Sequence, residues 1–296
     1  MMKKRTSMHY HLMLFPGILL LLIFSIYPMF GIVIAFQDFS PAKGFWGSEW
    51  VGLENFKYML EIPDSKQVFL NTIFIAVMKI IAGLVASLTF ALLLNELRVR
   101  FFKRAIQTIV YLPHFISWVL IGGIVGQMLS LDGIINQGLE YIGVEPIFFL
   151  GSNDWFPFVI VGTDVWKEFG FSAIVFLAAL TGINPVMYEA AEIDGATRWQ
   201  KLRFVTLPAI SATIILIATL SLQNVLNAGF EQVFNLYNTL VYESGDIIDT
   251  YVYRMGLIES QYELATAVGT LKSIVSLILI YISYQLAAKF ANYRIF

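Results

Sequence analysis

The chain of 296 residues contains no cysteine, which excludes disulfides, thiolate metal sites and cysteine nucleophiles. Its three histidines, His9, His11 and His114, do not make a metal cluster, so no metal is expected. Charge is also scarce. Charged residues are 14% of the chain and the formal net charge is −2, so no basic excess points to nucleic acid. No G-x-x-x-x-G-K-[ST] phosphate loop is present. The nearest fragment, Gly269-Thr270-Leu271-Lys272-Ser273, lacks the spacing and sits in an apolar run. The chain is therefore not expected to bind or hydrolyse ATP itself. No Ser/His/Asp or Cys/His set can be assembled, so no catalytic residue is assigned and no enzyme is expected.

What the chain has in abundance is apolar surface. It is 58% hydrophobic, with a mean hydropathy of +0.72. That describes an integral membrane protein rather than a soluble domain. A helix needs about 20 apolar residues to cross the hydrocarbon. The apolar runs predict six such helices in one transmembrane domain spanning 1–296, at 12–36, 68–94, 105–129, 156–180, 209–230 and 264–288. The first is too long for the core of a cleaved signal peptide and is read as retained, with Pro28 suited to a kink.

Orientation follows from lysine and arginine. With the N-terminus inside, the inner segments hold twelve: Lys3, Lys4, Arg5, Arg98, Arg100, Lys103, Arg104, Arg198, Lys201, Arg203, Lys289 and Arg294. The outer loops hold four, Lys43, Lys57, Lys66 and Arg254, and three lie within spans. Both termini are therefore expected in the cytoplasm.

On that topology the longest polar cytoplasmic stretch is 184–208, NPVMYEAAEIDGATRWQKLRFVTLP. Its grammar is two short helices around a bend. Asn184 is a good N-cap, with Pro185 at the first helical position. Gly195 ends the first helix, because glycine enters the left-handed region without steric cost. Thr197 and Gln200 have capping-box spacing for the second. Pro208 is expected to close the segment and open a fresh turn.

Glu189-Ala190-Ala191, three residues, Gly195, nine residues, Val205, one residue and Leu207-Pro208 resemble the EAA motif of binding-protein-dependent ABC importer permeases, roughly E-A-A-x3-G-x9-I-x-L-P. Val205 for Ile is the one departure. The resemblance implies a type I permease, all-α, six-spanning, in the bacterial cytoplasmic membrane. It implies that Glu189, Ala190, Ala191, Asp194, Gly195, Arg198, Leu207 and Pro208 couple to a cytoplasmic ATPase, which would bind the ATP and Mg. It further implies a second homologous permease, two ATPase subunits and an extracytoplasmic solute-binding protein. Phe15-Pro16-Gly17, Tyr27-Pro28-Met29-Phe30-Gly31, Trp50 to Phe56, Leu112-Pro113-His114-Phe115, Asp249 to Arg254 and Ala267-Val268-Gly269 look like the carbohydrate branch. Within it they are most similar to polysaccharide and complex-oligosaccharide permeases.

Polar residues inside the spans are the candidates for a solute path. Charges there usually face the bundle interior, water or a partner. Lys79, Asp164, Lys167, Glu168 and Lys272 either pair internally or line the path, and Lys167 is in reach of Asp164 at three residues. Trp166 suits either stacking on a sugar ring or interfacial anchoring. Thr219, Gln223 and Asn227, spaced by four, with Asn224 beside them, form a stripe on the fifth span. Such residues hydrogen-bond either a hydroxyl-rich solute or a neighbouring helix. Glu231, Glu243, Asp246, Asp249, Glu259 and Glu263 are either a solvated outer surface or a rim that docks the binding protein. Two other classes compete with this reading. An ion-gradient-driven transporter would use the intramembrane charges, but no internal repeat is visible. An intramembrane enzyme lacks a nucleophile or metal set.

Overall fold

The computed structural model describes residues 2–290. Arg294, counted above among the cytoplasmic basic residues, lies outside them. The chain separates into two compact units, Met1–Ile62 with Val252–Leu271, and Pro63–Tyr251 with Lys272–Phe296. The final helix contributes to both.

The first unit is built on a long apolar helix. Helix α1, Met2–Leu21, runs on through a π turn, Leu22–Ile26, and a short helical piece into a 3-10 stretch, Phe30–Phe36. The hydrogen-bond pattern changes around Pro28, which has no N–H to give. Two short strands then depart from the helical pattern: Gln37–Asp38 pair antiparallel with Glu49–Trp50. The pairing survives because local side chains satisfy the backbone beside it. Asn55 Nδ2 donates to Ala35 O at 3.0 Å and Gln37 O at 2.9 Å, and buried Gln37 donates to Phe45 O at 2.8 Å. Helix α2, Glu54–Glu61, follows.

The second unit is centred on two long helices, α3, Pro63–Glu96, and α7, Phe156–Thr181. Between them lie α4, Arg100–Tyr111, α5, Trp118–Met128, and α6, Ile134–Tyr141. After α7 come α8, Pro185–Ile193, α9, Arg198–Lys201, α10, Leu207–Ser221, and α11, Phe230–Leu236. The last helix is α12, Tyr262–Phe290. One apolar core gathers Ile75, Ile121, Phe156, Ile160, Val233 and Leu236. A second gathers Ala91, Ala173, Phe176, Leu180 and Ile210. Gly170 lets α7 approach α4 closely, since a Cβ there would stand 2.6 Å from the Val110 carbonyl oxygen.

Among the described residues, four helical stretches are long and apolar enough to cross a bilayer: Tyr10–Phe36, Pro63–Glu96, Arg198–Asn224 and Tyr262–Lys289. Two bent pairs bring the number to as many as six. In one, Arg100–Phe115 and Trp118–Met128 meet at 102°. The run 105–129, expected as a single span, is thus broken at its centre. Pro113 cannot donate there, and Ser117 caps the new helix by accepting from Leu120 N at 3.5 Å.

The acid-bearing stretch from Glu231 to Glu263 is not a plain outer loop. It holds α11 and further short helices at Tyr242–Gly245 and Ile248–Tyr253. Asp246 is buried and bonded to Thr250, and Asp249 pairs with Lys272. Of the six acids, these two are therefore internal fasteners rather than rim.

Candidate coupling segment and translocation path

The polar hairpin is built as its sequence dictates. Asn184 Oδ1 accepts from Val186 N at 3.1 Å and starts α8. Gly195 ends it with φ of +73°. Gly195 N donates to Glu192 O at 3.0 Å and Ala196 N to Ala191 O at 2.9 Å, the two bonds of a Schellman motif. Thr197 and Gln200 then close a reciprocal capping box on α9, at 2.7 and 3.3 Å. Lys201 reaches back to Glu192 at 2.5 Å, and Thr206 in the following π turn meets Tyr188 at 2.9 Å, so α8 is tied twice to the chain beyond the bend. The hydrogen bond from Lys201, then its charge, holds the exposed Glu192 carboxyl below its ordinary range.

Pro208 does not open a fresh helix. The chain is helical through it from Arg198 to Asn224. A π turn at Leu202–Thr206 precedes the proline and absorbs the missing N–H and the ring's clash with the turn before it.

Glu189, Ala190, Asp194, Gly195, Arg198 and Pro208 are exposed, and Ala191 and Leu207 are half-buried. The hairpin also shows apolar side chains, which a polar loop bathed in water would not need. Ile193 is 87% exposed and Trp199 67%, with Val186, Met187 and Phe204 beside them. Sequence reasoning passed over these residues. The signal was available as large apolar residues interleaved with the motif. Exposed apolar groups ringed by polar ones mark interaction surfaces.

The span charges are joined differently from the spacing. Asp164 pairs with Lys79 at 3.1 Å, not with Lys167. Lys79 also donates to Ala228 O at 2.6 Å and to Gln232 Oε1. Gln232 in turn donates to Ile160 O at 2.7 Å and Thr163 Oγ1 at 2.8 Å. Lys167 instead donates to Glu168 at 3.0 Å and to the His114 carbonyl at 2.7 Å, and the His114 ring meets Glu168 at 2.7 Å. Lys272 is engaged by Asp249. Spacing on one helix misassigned the partners because packing between α3 and α7 brings Lys79 closer to Asp164. Trp166 stands exposed beside this network.

The four-residue stripe does not exist as a helical face. The α-helix ends at Ser221, becomes 3-10 over Leu222–Asn224 and then passes through a turn into irregular backbone before Gly229 at φ of +92°. Lys79 claims the Ala228 carbonyl at this break. Thr219 is buried and bonded to Ile215 O at 2.7 Å, whereas Gln223, Asn224 and Asn227 are exposed. The amides are together at the end of the span but on irregular backbone.

Long apolar helices, two sharp bends, internally neutralised charges and a capped polar hairpin define a polytopic membrane protein. Residues 80–292 match the family described as the binding-protein-dependent transport system inner membrane component, and the chain belongs to that family. It is 44% identical over 287 residues to protein LplB of Bacillus subtilis, covering 97% of this chain and 90% of that one. It is 40% identical to the polygalacturonan/rhamnogalacturonan permease YteP of the same organism, covering 97% of this chain and 89% of that protein. Among solved structures it superposes on a chain of a bacterial ABC transporter that imports the acidic polysaccharide alginate. The TM-score is 0.88 at 36% identity, covering 97% of this chain and 96% of the other. A second structure of an alginate ABC transporter, with a periplasmic protein carrying an alginate pentasaccharide, gives 0.87.

Proposed function

We propose that this permease forms half of the translocation path of an ATP-driven importer for a polysaccharide or oligosaccharide. Sugar permeases among its relatives support the substrate class. The proposed assembly adds a second homologous permease, two ATPase subunits that bind ATP and Mg, and an extracytoplasmic binding protein. The proposed topology takes six spans in the bacterial cytoplasmic membrane from the apolar runs, and both termini on the cytoplasmic side from the basic-residue bias.

The observation that carries the reading is the hairpin. It is rigid by its own hydrogen bonds, yet it leaves Ile193 and Trp199 bare. A docking element transmitting force needs both stiffness and an exposed anchor. Glu189, Ala190, Ala191, Asp194, Gly195, Arg198, Leu207 and Pro208 are assigned to coupling. Gln223, Asn224, Asn227 and Trp166 are assigned to the path, as exposed groups able to hydrogen-bond or stack on sugar. Lys79, Asp164, Glu168 and Lys272, offered as path candidates from the sequence, are assigned first to holding the bundle, because each is engaged by an opposite charge.

The test is reconstitution of the whole assembly in proteoliposomes. Uptake of oligogalacturonate or alginate oligosaccharide should require the ATPase and be blocked by vanadate. Uptake without any ATPase that collapses with an uncoupler contradicts the reading.

A further inference from the structure

We propose that the cleft between the end of α3 and the hairpin binds the headgroup of an anionic phospholipid. The cleft has a volume of about 730 Å³. Its floor is the last apolar turn of α3, where Leu92 and Leu93 end the run and Asn95-Glu96 begin the polar turn. Leu93 is 65% exposed, so the floor continues onto surface that faces hydrocarbon once α3 crosses a bilayer. The opposite wall is α8 and α9, with Tyr188, Arg198, Trp199 and Lys201. One opening therefore has an apolar side, cationic groups at the depth where the apolar run stops, and an exposed indole. Indoles of that kind favour the level of the headgroups.

The charges facing the cleft are Arg98, Arg198 and Lys201 against Glu96 and Glu192, a surplus of one positive charge. Lys201 is occupied by Glu192. Arg98 adds only its field to that carboxylate. The two guanidinium forks are left to meet a ligand, and a fork suits a phosphate's oxygens in pairs. Arg100, Lys103 and Arg104 follow on α4 and raise the local potential for an anionic surface. A soluble phosphate would use the arginines but not Leu92, Leu93 or Leu202, whereas a phospholipid uses both.

The site overlaps the coupling face at Arg198 and Trp199 but lies beside the rest of it. Tyr188 and Glu192, one turn apart on α8, line the cleft, whereas Glu189, Ala190, Asp194 and Gly195 do not. A lipid seated there would brace the hairpin against the membrane end of α3. The proposal rests on the membrane placement of α3 and not on ATPase coupling.

The experiment uses the assembled transporter in detergent, delipidated and titrated with phosphatidylglycerol, phosphatidylcholine or inorganic phosphate, with bound lipid read by native mass spectrometry. Phosphatidylglycerol should bind and phosphatidylcholine should not. Arg98→Gln should weaken phosphatidylglycerol about fivefold, and Arg98→Gln with Arg198→Gln about 25-fold. As a reading independent of folding yield, phosphatidylglycerol brominated near the headgroup should quench tryptophan fluorescence in the parent more than in Trp199→Phe. Four results overturn the proposal: equal binding of phosphatidylcholine, unchanged binding in the double variant, displacement by inorganic phosphate, or exclusion of the lipid when the ATPase subunits are present. The last would reassign the cleft to the ATPase while leaving the transport reading intact.

Discussion

Lys79→Met tests the central charge arrangement most directly. Lys79 is only 9% exposed and holds Asp164 at 3.1 Å, the Ala228 carbonyl at 2.6 Å and the Gln232 amide oxygen. Methionine keeps the volume and removes the charge. Breaking a buried pair from one side costs about 3–5 kcal/mol, because the remaining charge is uncompensated. The Asp164 side chain is 25% exposed, which places its share near the lower bound of about 3 kcal/mol. The Ala228 carbonyl loses its donor as well, at about 1–3 kcal/mol if nothing replaces it. Gln232 stays anchored by its own bonds to Ile160 and Thr163. The signature is therefore non-additivity. Lys79→Met should be severely destabilised, and adding Asp164→Asn should recover about 2 kcal/mol or more by removing the orphaned charge. The assay is unfolding of the purified permease in mixed micelles, followed by circular dichroism, for both singles and the double. If the double equals the sum of the singles within about 0.5 kcal/mol, the pair is not coupled and the reasoning fails.

Glu189→Lys or Gly195→Pro should leave membrane insertion intact and separate ATP hydrolysis from uptake; normal uptake in both counts against the coupling role. Gly195→Ala, forced to keep φ near +73°, should cost about 1–2 kcal/mol of hairpin stability, read as faster hydrogen exchange in α8 and α9. Glu192 has its folded pKa lowered, so its tie to Lys201 contributes above the unfolded pKa of glutamate and is lost as pH falls through the lower folded value. Hairpin protection against exchange should fall on that side, and equal protection across the acid range would contradict it. Gln223→Ala with Asn227→Ala should lower uptake without releasing the ATPase, whereas unchanged kinetics would move both amides out of the path.

The hairpin was legible residue by residue because its signals are local. A cap, a glycine and a capping box act within four residues of themselves, and no distant partner can move them. The same locality explains what was missed at Pro208. The proline rule is sound, but a five-residue π turn ending two residues earlier satisfies it without a break. The stripe on the fifth span failed for the opposite reason. Its four-residue spacing presumes continuous helix, and the break before Gly229 is stabilised by Lys79, 149 residues away. Likewise the partner of Asp164 is on another helix. Apolar length revealed how much chain could cross a membrane, but not that one such run would turn by 102° at Leu112–Phe115.

That bend is gripped twice by α7. Lys167 donates to the His114 backbone at 2.7 Å, and Glu168 meets the His114 ring at 2.7 Å while also holding Lys167 at 3.0 Å. The ring lies flat on Phe171, with centroids 3.9 Å apart, so its plane is fixed by the same helix. The far end of α7 leads through Gly182 to Asn184 into α8. A displacement of the hairpin therefore has a covalent route to the helix that holds the bend. The two halves of the grip are unequal. Removing Glu168 takes from buried Lys167 the carboxylate in contact with it, leaving only the more distant Asp164, whereas removing the His114 ring leaves the Lys167–Glu168 pair and the backbone bond in place. Glu168→Ala should thus be destabilised by about 3 kcal/mol or more, and His114→Ala by clearly less. In reconstituted transporter, His114→Ala should loosen the link between hydrolysis and uptake while the fold persists. Equal destabilisation by the two substitutions, or full coupling in His114→Ala, would show that the bend is held by packing alone.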